Sequence, residues 1–212
     1  MKTVISLGGS LIYPDNIDYE FLKKFVEAIN SFPGKFAIIC GGGKLARELQ
    51  ENAKDITDEK KDLLGIEATK QNATVVHSLF TDVYERVVQD PTEKISTDKK
   101  VIVYSGWKPG WSTDYDAVLI AQDKVINMSN VDYVHDSDPK INPSAKPIHT
   151  ISWEEFRKLV GDEWKPGLNA PFDPIAAKEA HKRKIQVIII GPDLANFRNV
   201  MEGKEFKGTI IK

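Results

Sequence analysis

The stretch "AIICGGGKLARE", Ala37 to Glu48, decides how the chain is read. Four apolar residues run straight into Gly41, Gly42 and Gly43, then Lys44, and Arg47 follows four residues after the last glycine. An apolar run cut off by glycines is a buried strand entering a turn. The residues after the glycines open a helix, expected over Gly43–Ala53. A strand, a glycine turn and a helix in succession place backbone N–H groups at a strand's carboxyl end. Open α/β sheets bind ligands there, and a helix start faces phosphate oxygens favourably. Glycine lets the backbone come close, and Arg47 adds a charge-assisted fork one helical turn further in.

Outward from this passage, β-rich runs alternate with amphipathic stretches, the pattern of βαβ crossovers on a largely parallel sheet. Strands are expected at Thr3–Leu7, Lys35–Cys40, Lys100–Tyr104, Lys124–Met128, Gln186–Ile190 and Gly208–Ile211. The spacing predicts helices at Asp18–Ser31, Gly43–Ala53, Asp58–Phe80, Thr113–Gln122, Ser152–Val160, Asp173–Arg183 and Asp193–Met201. Three carry written caps: Asp18 ahead of Phe21 and Leu22, Ser152 three residues before Glu155, and Asp173 followed by Pro174 at the first helical position. "QDPTEKISTDKK", Gln89 to Lys100, is the most loop-like segment, and one domain over residues 1–212 is expected.

A chain of 212 residues with 41% apolar and 28% charged residues can bury a sizeable core. No apolar run approaches the roughly 18 residues of a membrane span, and the N-terminal "MKTVISLGGSL" is too brief for a secretory signal, so a cytoplasmic protein away from membranes is expected. Cys40 stands alone, which rules out an internal disulfide, and His77, His135, His149 and His181 lack metal-ligand spacing. No metal held by the protein itself is expected. A net charge of −2 without a basic cluster speaks against nucleic acid and leaves a small anionic ligand open.

"SLGGSL" after the first strand supplies a second glycine turn at a strand end. Neither turn matches the two common phosphate motifs. Lys44 follows the glycines directly and precedes Leu45, against the spacing of a P-loop. The second strand ends in Cys40 and glycine instead of the acid a dinucleotide site uses for a ribose hydroxyl, which makes hydride transfer a poor reading. The binding mode therefore uses two glycine loops at once. A third loop, "SGWKPGWSTDYDA", reaches a helix that Ser112 or Thr113 caps; Trp107 and Trp111 either shield a flat base or anchor the loop against another subunit. A fourth, "SNVDYVHDSDPK", is rich in turn formers. In a fifth, "WKPGLNAPFDPIAAK", Asp173 is an N-cap by default, yet a carboxylate beside phosphate also orders lysines or holds a hydrated magnesium ion.

The ordered set "VISLGGSL", "CGGGKLARE", "DLLGIEATKQNA", "PGWSTDYDA", "SNVDYVHDSDPK", "DPIAAK" and "GTII" resembles the amino-acid-kinase superfamily, and within it the uridylate kinases of the archaeal type. The resemblance spans nearly the whole chain. It implies a three-layer αβα sandwich around a mostly parallel sheet, transfer of a phosphoryl group from magnesium–ATP to UMP in pyrimidine nucleotide synthesis, and a homo-oligomer, a hexamer.

Carried over by residue, the resemblance assigns the ATP phosphates to Ser6, Gly8, Gly9, Ser10, Gly43 and Arg47, and the purine side to Ser129, Asn130, His135 and Asp138. UMP would meet Gly42, Asp62 and the loop Gly106, Trp107, Lys108, Pro109, Gly110, Trp111, Ser112 and Thr113. Arg47, Asp173 and Lys178 would serve catalysis, with Mg2+ arriving on ATP. Ser6 stands where many superfamily members have lysine, so the positive charge falls to Arg47, Lys44, Lys165 or Lys178. Tyr133 and His135 depart from the family's usual "NVDGVY", and the region between Val88 and Lys100 is short enough to trim a helix. A sister kinase with an acyl or isoprenoid phosphate acceptor is opposed by Asp62 and "PGWSTD". A non-catalytic nucleotide-binding protein is favoured by Tyr133 and His135 and opposed by Arg47, Asp173 and both glycine loops.

Overall fold

The computed structural model describes residues 2–139, 141–161, 163 and 170–212, so Lys165 and the rest of "WKPGLN" lie outside the described residues. In chain order the elements are β1 (Lys2–Leu7), α1 (Gly9–Ile12), α2 (Tyr19–Ser31), β2 (Lys35–Cys40), α3 (Gly43–Asn52), α4 (Asp58–Ser78), β3 (Val101–Tyr104), α5 (Thr113–Ile120), β4 (Lys124–Met128), β5 (Val134–His135), β6 (Pro147–Ile148), β7 (Thr150–Ile151), α6 (Trp153–Val160), α7 (Pro174–Arg183), β8 (Gln186–Ile190), α8 (Leu194–Met201) and β9 (Thr209–Ile211).

Seven strands form one sheet in the order β3-β2-β1-β4-β8-β9-β7. The first five run parallel, and β9 reverses against β8 while pairing in parallel with β7. Side chains alternate across each strand, so two separate cores form. Ile5, Leu7, Ile38, Cys40, Val103 and Ile126 pack under α1, α2, α4 and α8. Val4, Ala37, Ile39, Ile102, Val125 and Ile189 pack under α5, α6 and α7. Each fully buried Ile, Leu, Val or Phe contributes about 1.5–3 kcal/mol. The mostly parallel sheet is the one the alternation predicts, and the three layers are those the family resemblance implies. Among the described residues no helix is long and apolar enough to cross a membrane.

The written caps form as expected. Asp18 accepts from the Phe21 N–H, Ser152 and Glu155 make a capping box, and Asp173 accepts from the Ala176 N–H. Differences from the expected elements are confined to short pieces. The four-residue α1 and the two-residue β5, β6 and β7 are too short to show a period, and the antiparallel sense of β9 depends on where the chain returns. No helix occupies Leu79–Lys100; instead Val83 and Val88 bridge to β3 and cover that sheet edge.

Strand order reverses beside β1. The chain steps from β1 to β2 to β3 in one direction, then crosses through α5 on the opposite face to β4 on the other side of β1. The carboxyl ends of β1 and β4 therefore flank a crevice, the place where open sheets hold ligands.

Candidate active site

At this crevice the two glycine loops interlock. The Gly8 N–H donates to the Met128 carbonyl at 2.7 Å, and the Gly41 N–H donates to the Leu7 carbonyl at 2.9 Å. A Cβ on Gly9 would lie 2.3 Å from the Gly43 nitrogen, and Gly43, at φ +59°, is in the left-handed region. Only glycine fits both contacts. Asn72 of α4 ties the second loop down, its Nδ2 donating to the carbonyls of Gly41 at 2.8 Å and Gly42 at 3.2 Å.

The helices that start at these loops differ from all the others. Side-chain oxygens of Asp18, Thr57, Ser112, Ser152, Asp173 and Asp193 cap α2, α4, α5, α6, α7 and α8. No side chain among the described residues caps α1 or α3. Their leading N–H groups are left for an anion. Arg47 is exposed on α3 without an ion-pair or hydrogen-bond partner among the described residues, whereas Lys44 is held by Asp15 and, at 3.7 Å, by Glu48.

Beside the loops lies a knot of buried polar groups. Asp114 Oδ1 accepts from Ser6 Oγ at 2.9 Å and Asn127 Nδ2 at 2.7 Å, and its Oδ2 accepts from the Asp173 backbone N–H at 3.2 Å. Desolvation pushes the Asp114 carboxyl above its ordinary range, and those three donors pull it back. Asp173 is 5% exposed; its Oδ1 accepts from the Ala176 N–H at 2.5 Å, and its Oδ2 has no partner among the described residues. Burial raises the Asp173 carboxyl to about 7, against the Ala176 hydrogen bond, and the Asp114 charge adds to the rise.

The third loop meets α4. Asp62 Oδ2 accepts from the Gly110 N–H at 2.7 Å, and Thr69 Oγ1 accepts from the Gly106 N–H at 2.8 Å. A Cβ on Gly42 would come 3.5 Å from Thr69 Cγ2, so Gly42, Asp62, Gly106 and Gly110 gather along one helix face. Ser112 caps α5 through the Tyr115 N–H at 3.2 Å, with Thr113 as the first helical residue. Trp107 and Trp111 pack edge to face at 5.4 Å, and Lys108 Nζ lies 3.9 Å and 4.6 Å from their ring centroids.

Residues expected on the purine side divide. Ser129 donates its N–H to the Ile190 carbonyl at 3.0 Å, and its Cα lies 3.3 Å from where a Gly8 Cβ would be, while Asn130 beside it is exposed. His135 sits on the small β5–β6 pair opposite Pro147, and the Asp138 carbonyl accepts from the Ile141 and Asn142 N–H groups. Tyr133 packs edge to face against His149 at 5.2 Å. Lys178 is exposed and lines an outer cleft with Tyr115, Arg157, His181 and Lys182, apart from the Asp173 knot. Lys178 shares the outward face of α7 with His181 and Lys182, whereas Asp173 is buried at the start of that helix.

Asp114, Asn127, Thr69 and Asn72 enter the site without having been assigned to it. A signal existed for some: Asn127 interrupts the apolar "VINM", and Thr69 and Asn72 lie three apart on an otherwise apolar helix face.

Comparison with known proteins gives three kinds of match. The model of the amino acid kinase family matches residues 1–191. A uridylate kinase of Thermococcus sibiricus is 34% identical, with both chains covered in full. The crystal structure of uridylate kinase from Archaeoglobus fulgidus superposes with a TM-score of 0.85 at 32% identity, again over 100% of both chains. The crystal structure of UMP kinase from Bacillus anthracis shares the fold, with a TM-score of 0.78 at 19% identity over 100% of this chain and 95% of that one.

Proposed function

Since the chain belongs to the amino acid kinase family, we propose that it transfers the γ-phosphoryl group of ATP to UMP, giving ADP and UDP. One observation carries the reading: the two helices without a side-chain cap are those whose glycine loops touch backbone to backbone. Two anionic groups can thus be held side by side by main-chain donors, as phosphoryl transfer requires.

In this reading a UMP phosphate oxygen attacks the γ-phosphorus as the bond to the β-phosphate oxygen breaks. Ser6, Gly8, Gly9, Ser10 and Gly43 hold the donor phosphates, and the Arg47 fork stabilises charge where donor and acceptor meet. Asp114 keeps the Ser6 hydroxyl and Asn127 in place. Gly42, Asp62 and residues 106–113 hold UMP, with Asp62 joined to the loop through Gly110. Ser129, Asn130, His135 and Asp138 lie toward the adenine. Arg47 supplies positive charge at the loops, and Lys178, exposed on α7 inside the helix that Asp173 caps, is the second cation of the catalytic set.

Magnesium enters with ATP and spreads the charge of its phosphates. The described residues hold no cluster of three or more His, Cys, Asp or Glu suited to a metal ion, but the unpartnered Asp173 Oδ2 fits a metal-bound water. A cytoplasmic homohexamer completes the proposal, and light scattering on the purified protein tests its size. The deciding experiment is a phosphoryl-transfer screen with magnesium–ATP across nucleoside monophosphates. UMP should be preferred; equal phosphorylation of CMP, AMP and dTMP would remove base selection by the 106–113 loop.

A further inference from the structure

The first turn of α5 carries a second buried carboxylate that the proposed chemistry does not use. Asp116 is 1% exposed, and neither of its oxygens has a hydrogen-bond partner among the described residues. Its surroundings come from three parts of the chain. The charges of Asp114 on α5, of Asp90 in the segment before β3 and of Lys108 in the loop after β3 act on it, as does the Trp107 backbone. Lys108 is the cation whose charge acts on it, yet its Nζ is held between the Trp107 and Trp111 rings, and Trp111 in turn packs edge-on to Tyr115 at 4.0 Å.

An ionised carboxylate buried without a partner costs several kcal/mol, so the site has two ways out. Either the carboxyl stays neutral and the loop stays packed, or it ionises and draws in water or Lys108. The second course breaks the Trp107–Lys108–Trp111 cluster, because Lys108 cannot leave the rings without unpacking them. We propose that Asp116 is a positioning residue for acceptor binding: as a neutral acid it is the floor that holds residues 106–112 in place, and as a carboxylate it releases them. This rests on the reading of that loop as the acceptor's wall. Burial, with Asp114 and Asp90 adding to it, pushes the Asp116 carboxyl up to about 8, against the Trp107 backbone and Lys108, so release falls at mildly alkaline pH.

Two measurements over about pH 6 to 8.5 test this, and the wild-type arms require no variant to fold. In the ligand-free protein, tryptophan fluorescence should change with a midpoint at about 8. The change should be absent in Asp116→Asn, which keeps the shape and cannot ionise. In steady-state assays the KM for UMP should be about twice its low-pH value at the midpoint and about four times that value at about pH 8.5, at constant kcat, since only the neutral form is competent. Asp116→Asn should hold a low KM throughout. A wild-type protein without the fluorescence step, or a variant that shares it, overturns the role of Asp116. A step accompanied by a flat KM for UMP instead overturns the assignment of the loop to the acceptor, so the two failures are told apart.

Discussion

Arg47 and Asp173 are opposites in setting, which makes their substitutions separable. Arg47 is exposed and unpaired among the described residues, so the fold gains little from its charge. Arg47→Ala should melt within a few degrees of the wild type while losing roughly two to four powers of ten in kcat, the scale of removing a charge partner from a phosphoryl-transfer transition state. Near-normal turnover would make Arg47 an ordinary surface residue of α3. Asp173 is buried, with one oxygen capping α7 and the other unpartnered. Asparagine caps as well as aspartate but carries no charge. Asp173→Asn should therefore melt no lower than the wild type at about pH 8, where the native carboxylate is ionised at a cost, and should lose most turnover at saturating magnesium, ATP and UMP. A fully active variant would return Asp173 to the role of a cap.

At the scale of elements, α4 fastens two loops with side chains that its own helix does not need. Thr69 holds Gly106, and Asn72 holds Gly41 and Gly42. Asn72→Ala leaves two loop carbonyls without their donor, a loss of about 1–3 kcal/mol for a buried polar group. The expected result is a lower urea midpoint together with raised KM values for both ATP and UMP, because the second glycine loop faces both nucleotides. A change in stability with both KM values intact would show that the tether matters only to folding. Gly43 offers a harsher test of the same junction. An added Cβ would lie 2.3 Å from the Gly9 carbonyl carbon at a positive φ, so Gly43→Ala displaces one loop or the other.

For the whole molecule, the three buried carboxyls dictate the pH dependence of stability. Asp114, Asp116 and Asp173 all sit above the ordinary range, Asp116 at about 8 and Asp173 at about 7. Between the unfolded value near 3.8 and these folded values the native state binds more protons than the unfolded chain. Stability is therefore full below that window and is lost as pH rises through it. Half-buried Asp90 and exposed Asp136, Glu154 and Glu155 are held low by hydrogen bonds and act in the opposite sense, giving up stability in acid. The ligand-free protein should melt highest near about pH 4 and progressively lower toward about pH 8, by calorimetry. Asp116→Asn should flatten the alkaline side of that curve, and a melting temperature that rises steadily from pH 5 to 8 would contradict the buried charges.

What could be read locally was read from the sequence. Strand runs such as Lys35–Cys40, the caps at Asp18, Ser152 and Asp173, and the glycine turns depend on side-chain period, cap chemistry and the freedom of glycine, all expressed within a few residues. The mostly parallel sheet follows as well, because strands that alternate with helices join by crossovers, whereas the three layers were implied by the family resemblance. The polar knot was beyond that reach. Ser6 and Asp114 are 108 residues apart and Asp114 and Asp173 are 59 apart; they meet because β4 settles beside β1 after the crossover through α5. Asp116 in "STDYDA" reads as one more acid in a helix's first turn, where a negative charge is ordinarily welcome. Only the folded chain around it removes the water that would favour its charge, and burial in a tertiary contact is a property no short window of sequence contains.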